Sequence, residues 1–181
     1  SSSYHHSMYF VGYLIRGEAG AWHTGLVKDV SERYHSRKLY EKVPPHLTLY
    51  RPFKTDDIEG VRSILHTFAL SLPWGEVHVD GYGRFDDKVV YATALVEEKT
   101  KTRVIELQKA LYALPGMPEN RDPWNPHATI AYRMPGEMIE RIWQYVVGIP
   151  RPDFKLSFDN LALFRLEGTR WQVEAVFAPA R

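Results

Sequence analysis

Pro45-His46-Leu47-Thr48-Leu49 returns later in the chain as Pro126-His127-Ala128-Thr129-Ile130, and this repeat decides how the rest of the sequence is read. The two histidines lie 81 positions apart (127 − 46), nearly half of the 181 residues. On a β-strand, side chains two apart point to the same face. Each copy therefore presents an imidazole beside a hydroxyl, while Leu47 and Leu49, or Ala128 and Ile130, cover the opposite face. One such motif means little, because strands often begin after proline and strand histidines are mostly structural. Two copies with the same proline and the same apolar flanks imply two matched strands around one pocket.

Working outward, the apolar run Met8 to Ile15 reads as a buried first strand. Trp22 to Tyr40 has helical spacing through Leu26, Val30 and Tyr34, and the first motif strand runs from about His46 to Tyr50. Thr55-Asp56-Asp57 starts a helix with Ile58, Val61, Leu65 and Phe68 on its apolar face, and Pro73-Trp74-Gly75 ends it. Val77 and Val79 alternate with polar neighbours in a strand, and Asp86-Asp87-Lys88 turns into the strand Val89 to Val96. A helix from about Thr102 to Leu114 and an irregular stretch from Pro115 to Pro126 lead to the second motif strand, which runs to Arg133. A helix over 137–147 and strands near Phe154 to Phe164 and Trp171 to Phe177 close the chain, with a hinge at Glu167-Gly168. The order of elements roughly repeats after residue 90, which predicts an internal duplication.

The 44% hydrophobic and 25% charged composition is that of a globular protein of one domain. With no cysteine there is no disulfide framework, thiolate nucleophile or zinc–thiolate site. A formal charge of +1 gives no global basic footprint for extended nucleic-acid binding. No segment is long enough to span a membrane, and a cytoplasmic location follows by default. Ser1 to Ser7, with Ser-Ser-Ser and His5-His6, reads as an expression-tag remnant before a native Met8, leaving 8–181 as the domain.

Paired imidazoles and hydroxyls suit phosphoester chemistry. Opening a cyclic phosphodiester requires a base on one side of phosphorus and an acid on the other. An imidazole pKa near 6.5 lets one ring serve each role, with a bell-shaped pH dependence topped near neutrality. Threonine hydroxyls can donate to the non-bridging oxygens without adding charge. The sequence offers no carboxylate cluster or metal-binding histidine spacing, so no metal or other cofactor is expected.

At these residues the chain resembles the two-histidine phosphoesterase superfamily, in its 2′-5′ RNA ligase / RNA 2′,3′-cyclic phosphodiesterase branch. The resemblance extends to the opening strand Met8-Tyr9-Phe10-Val11, the run ending near Pro52-Phe53, and the closing strand Trp171 to Phe177. It implies an α+β, bilobal, duplicated fold, with two antiparallel sheets meeting at a central cleft and helices on the outer faces. It also implies His46 and His127 as the catalytic pair, Thr48 and Thr129 as phosphate ligands, and activity on RNA 2′,3′-cyclic phosphate ends with possible reverse 2′-5′ ligation. Members of this branch often carry a basic residue five past the second histidine, where this chain has Tyr132, with Arg133 one later.

Strand parity puts Tyr50 on the face of His46 and Thr48, as a stacking surface for a base, and Arg133 on the face of His127 and Thr129, as a phosphate partner. Trp124 either covers a nucleobase or packs its loop. His23 and His35 read as exposed helix residues, and Arg33, Arg37, Lys38 and Lys42 form a basic cluster before the first motif, a solvated helix face or a guide for RNA. The expected partners are RNA ends or nucleotide cyclic phosphates, bound by a monomer with no obligate protein partner. Two other readings fit the same residues: a phosphodiesterase for 2′-5′-linked oligonucleotides or small cyclic nucleotides, and a non-catalytic RNA-end or nucleotide-binding module. The sequence does not assign acid and base between the histidines.

Overall fold

The apolar run after Met8 forms β1 (Tyr9–Leu14), and both its faces are covered: Val11 and Tyr13 on one side, Phe10 and Leu14 on the other. A strand without a polar face needs neighbours on both edges and cover on both faces. The structure, a computed structural model, describes residues 6–179. The expected tag remnant at Ser1 to Ser7 therefore falls largely outside the described residues. In chain order β1 is followed by α1 (Gly17–Tyr34), α2 (Leu39–Lys42), β2 (His46–Phe53), α3 (Ile58–Ala69), β3 (Glu76–Phe85) and β4 (Val89–Val96). Then come α4 (Glu98–Tyr112), β5 (His127–Tyr132), α5 (Gly136–Val147), β6 (Phe154–Ser157), β7 (Leu161–Glu167) and β8 (Arg170–Phe177).

The strands build two four-stranded antiparallel sheets, in the orders β2-β1-β7-β8 and β5-β4-β3-β6. The fold is thus α+β with two sheets, as expected. Each motif strand is the edge of its sheet and pairs with a strand of its own half: Leu14 faces His46, and Thr93 faces His127. The first sheet is completed only when β7 returns beside β1, pairing Val11 with Leu163. At Gly168 the left-handed φ of 64° turns β7 into β8, a backbone glycine adopts without strain.

The helices follow their apolar spacing. Asp57 caps α3 by accepting the Gly60 N–H at 2.8 Å, and Val61, Leu65 and Ala69 face inward one turn apart. Val104, Leu107 and Leu111 do the same in α4, and Ile139, Ile142 and Val146 in α5. The helices also cross over. α1 leaves the first sheet but packs on β5 and α5 of the other half, while α4 leaves the second sheet and packs on β2. One large apolar cluster therefore draws on both sheets, and a smaller one of Phe10, Leu14, Ala162 and Phe164 covers the other face of β1. No helix among the described residues is long and apolar enough to cross a membrane.

Two expected elements divide. The helix expected over Trp22 to Tyr40 starts earlier and stops at Tyr34, where His35 turns left-handed at φ 54°. Leu39–Lys42 then forms its own short turn. The strand expected over Phe154 to Phe164 becomes β6 and β7, in different sheets. Asn160 makes that switch possible: fully buried, it accepts the Leu14 N–H at 2.9 Å and donates to the Leu14 carbonyl at 3.2 Å.

Candidate active site

Each motif proline spaces its histidine from the carbonyl that orients it. The residue before a proline is held extended, which fixes the direction of its carbonyl. His46 Nδ1 lies 2.9 Å from the Pro44 oxygen, and His127 Nδ1 lies 2.8 Å from the Asn125 oxygen. A carbonyl only accepts, so Nδ1 carries the proton in both rings and Nε2 is left free for chemistry. The two histidines line one cavity of about 700 Å³ together with Thr48, Thr129 and Arg133. Thr48 and His127 also line a second cavity of about 450 Å³, together with Trp124, Phe85 and Gln108.

Both imidazoles are held toward their neutral form. The His46 ring packs 5.0 Å from Phe10 and 5.5 Å from Phe164. Burial pushes its pKa down to about 4, against the Pro44 carbonyl bond, and His23 and His127 add to the lowering. His127 sits 5.0 Å from Phe85 and 5.1 Å from Tyr91, and burial lowers it as well, opposed by the Asn125 carbonyl. Its Nδ1 bond lies nearer solvent than that of His46.

Tyr50 requires a correction. Opposite β1, Val11 pairs with Tyr50 while its neighbour Gly12 pairs with Thr48, so β2 carries an extra residue at Leu49. Such a bulge breaks the two-residue alternation. Leu49 and Tyr50 are both buried, and the Tyr50 hydroxyl donates to the Pro118 carbonyl in the interior, with its pKa pushed up to about 12 by burial. Tyr50 is a core residue, and no base can stack on it. The next residue, Arg51, takes the face of Thr48 at the mouth of the second cavity.

The second motif has the same bulge. Tyr91 pairs with Thr129 while Val90 pairs with Ala131, and Ile130 and Ala131 are both buried. Tyr132 thereby takes the cleft face. Arg133 reaches the cleft rim with a left-handed φ of 55°, where parity through the bulge would not send it. Its guanidinium and that of Arg37 lie 5.2 and 5.7 Å from the Tyr132 ring centre. Trp124 lines the second cavity and also ties its loop to β2, donating its indole N–H to the Thr48 carbonyl at 2.9 Å.

Several site residues lay outside the sequence reading. Trp171 forms a wall of the larger cavity, edge-on to Phe10 at 4.8 Å. Within the basic cluster, Arg37, Lys38 and Lys42 line the cleft, while Arg33 pairs with Asp29 at 2.9 Å on the helix surface. Arg51 and Tyr132 stand at the same place in the two motifs, five past each histidine, but only the bulges bring them to the cleft. His23 is buried rather than exposed, because α1 lies on β5 and not on solvent.

Comparisons with known proteins bear on the family and the fold. A profile of the 2′-5′ RNA ligase superfamily matches residues 18–170. A Bacillus pumilus (strain SAFR-032) protein named "Putative phosphoesterase" is 26% identical over 160 residues, covering 83% of this chain and 90% of that one. Among solved structures, E. coli LigT complexed with 3′-AMP aligns with a TM-score of 0.63 at 16% identity, over 97% of this chain and 99% of that one. TT0787 of Thermus thermophilus aligns at 0.62 and 18% identity, over 94% and 97% of the two chains. Kluyveromyces marxianus Usb1 aligns at 0.52 and 13%, again over 94% and 97%. These structures share the fold.

Proposed function

Because this chain belongs to the 2′-5′ RNA ligase superfamily, we propose that it hydrolyses RNA ends bearing a 2′,3′-cyclic phosphate. The observation that carries the reading is the matched pair of imidazoles, His46 and His127. They come from the edge strands of two sheets, have the same tautomer, and meet in one cavity with Thr48 and Thr129. His46 is the more deeply enclosed ring and acts as the base, taking a proton from water as the water oxygen bonds to phosphorus. As the bond from phosphorus to one ribose oxygen breaks, His127 gives its Nε2 proton to that oxygen. Proton balance requires His127 to enter the cycle protonated, a state that the anionic phosphate favours on binding. The threonine hydroxyls donate to the non-bridging oxygens. Arg37, Lys38, Lys42 and Arg133 outweigh the carboxylate of Glu41 on the cleft wall and leave it the positive field that an RNA end needs. E. coli LigT, which shares the fold, is complexed with 3′-AMP, and this supports a nucleotide ligand for the site.

A second reading keeps the same chemistry on a linear 2′-5′ phosphodiester. The cavity of about 450 Å³ that Thr48 and His127 also line favours it, since it offers room for a further group of the substrate. Both readings are tested by incubating the protein with 2′,3′-cyclic AMP and with 2′-5′-linked ApA in EDTA and following the products by chromatography. The first expects faster turnover of the cyclic substrate, and the second the reverse. Binding of 2′,3′-cyclic AMP without turnover of either compound would leave only a nucleotide-binding module.

A further inference from the structure

An edge strand leaves a row of backbone carbonyls without ladder partners, and buried ones must be satisfied elsewhere. In β2 the Thr48 carbonyl accepts from Trp124, and the Leu49 carbonyl accepts the Gln108 amide at 2.8 Å, both donors arriving from the other half of the chain. In β5 the Thr129 carbonyl accepts from His23 Nε2 at 3.0 Å, and His23 belongs to the first half. The carbonyl of each motif threonine is therefore held by a ring N–H from the opposite half.

We propose that His23 is a positioning residue that fixes where β5 presents Thr129 and His127 to His46. His23 is 7% exposed and projects from α1 among the buried Ala19, Leu26 and Val27. It shares a cavity of about 20 Å³ with His46 and Thr129, so it stands directly behind the site without lining the cleft. Since the Thr129 oxygen only accepts, Nε2 of His23 carries the proton, and burial keeps the ring neutral. A flat, stiff ring with a single donor is well suited to set a distance. Without it, a buried carbonyl loses its partner and the edge strand loses its link to the first half. Misplacement of a reacting group by about 1 Å can cost roughly a hundredfold in rate.

This role rests on the cyclic-phosphodiesterase reading for its catalytic consequence, so the test needs a readout that requires no substrate. Three variants suffice: His23→Gln keeps a donor near the Nε2 position, His23→Leu removes it, and His23→Asn is polar but too short. Kinetics on 2′,3′-cyclic AMP are normalised to the folded fraction, and backbone hydrogen exchange of β5 is measured alongside. The Leu and Asn variants should lose about tenfold in kcat with KM nearly unchanged, and their His127–Tyr132 amides should exchange faster. The Gln variant should stay near wild type in both measurements. Unchanged exchange in the Leu and Asn variants, wild-type kcat per folded molecule, or a Gln variant as impaired as Leu would each overturn the proposal. A wild-type protein inactive on every cyclic phosphate would refute the function, and hydrogen exchange would still decide whether His23 holds β5.

Discussion

Changing pH probes the pair most directly, because burial displaces both rings in the same direction. With a pKa of about 4, His46 in the free enzyme is roughly 99% neutral at pH 6, against about a quarter for an unperturbed imidazole of pKa near 6.5. The base form therefore persists far into acid. The acid form of His127 runs the other way: its lowered pKa means that the proton it must donate is lost earlier as pH rises. Above that pKa each further unit removes about tenfold of the active form, so kcat/KM should fall on the order of a hundredfold between pH 7 and pH 9. Together these limbs move the bell well to the acid side of neutrality: its top lies midway between the two pKa values and so falls at or below about pH 5, where two unshifted rings would place it near 6.5. The profile of kcat should lie higher than that of kcat/KM, since a bound anionic phosphate stabilises both imidazolium forms. The assay is initial-rate hydrolysis of subsaturating 2′,3′-cyclic AMP from pH 4 to 9 at constant ionic strength. A kcat/KM maximum at or above pH 7, with an acid limb near 6.5, would show that enclosure does not set the working pKa values and would refute the assignment of base and acid.

His46→Ala and His127→Ala should each lower kcat by roughly 10² to 10⁴, measured on the cyclic substrate, since each removes one proton-transfer partner. Thr48→Val and Thr129→Val keep the β-branched shape and lose only the hydroxyl, so rates should drop up to about a hundredfold with the melting temperature nearly unchanged. Tyr50→Phe should leave kcat and KM intact while lowering the melting temperature, because its hydroxyl serves the buried Pro118 carbonyl. Arg51→Ala and Arg133→Ala should raise KM and weaken its salt dependence, with little change in kcat. An altered KM in Tyr50→Phe beside a normal one in Arg51→Ala would reverse the faces given to these residues.

The duplicated motif made the two edge strands, their proline entry and the paired histidines and threonines readable from the chain alone. Strand parity held from His46 to Thr48 and from His127 to Thr129, then failed one residue later in both copies. The failure has one cause: a bulge is a property of pairing between strands, and no local signal at Leu49 or Ile130 marks it. Parity therefore does not bring Arg51 and Tyr132 to the cleft, where the bulges put them, and it sends Tyr50 to a cleft from which it is buried away. His23 was misread for a related reason. Helical spacing tells which face of α1 is apolar, but not that the helix crosses to the other sheet, where a histidine meets a free carbonyl. The joining of Phe154 to Phe164 into one strand missed Asn160, whose two backbone bonds to Leu14 form only in the folded chain.

The seating of β7 beside β1 governs how the protein can assemble. Val11 waits for Leu163, 152 positions later (163 − 11), before its second edge is closed. A chain emerging from the ribosome would thus carry its most fully buried strand with an open edge until β7 is made, and loop closure over that span must come before the reward of pairing. Folding should be slow and late, and the growing chain should depend on chaperones until the final hairpin arrives.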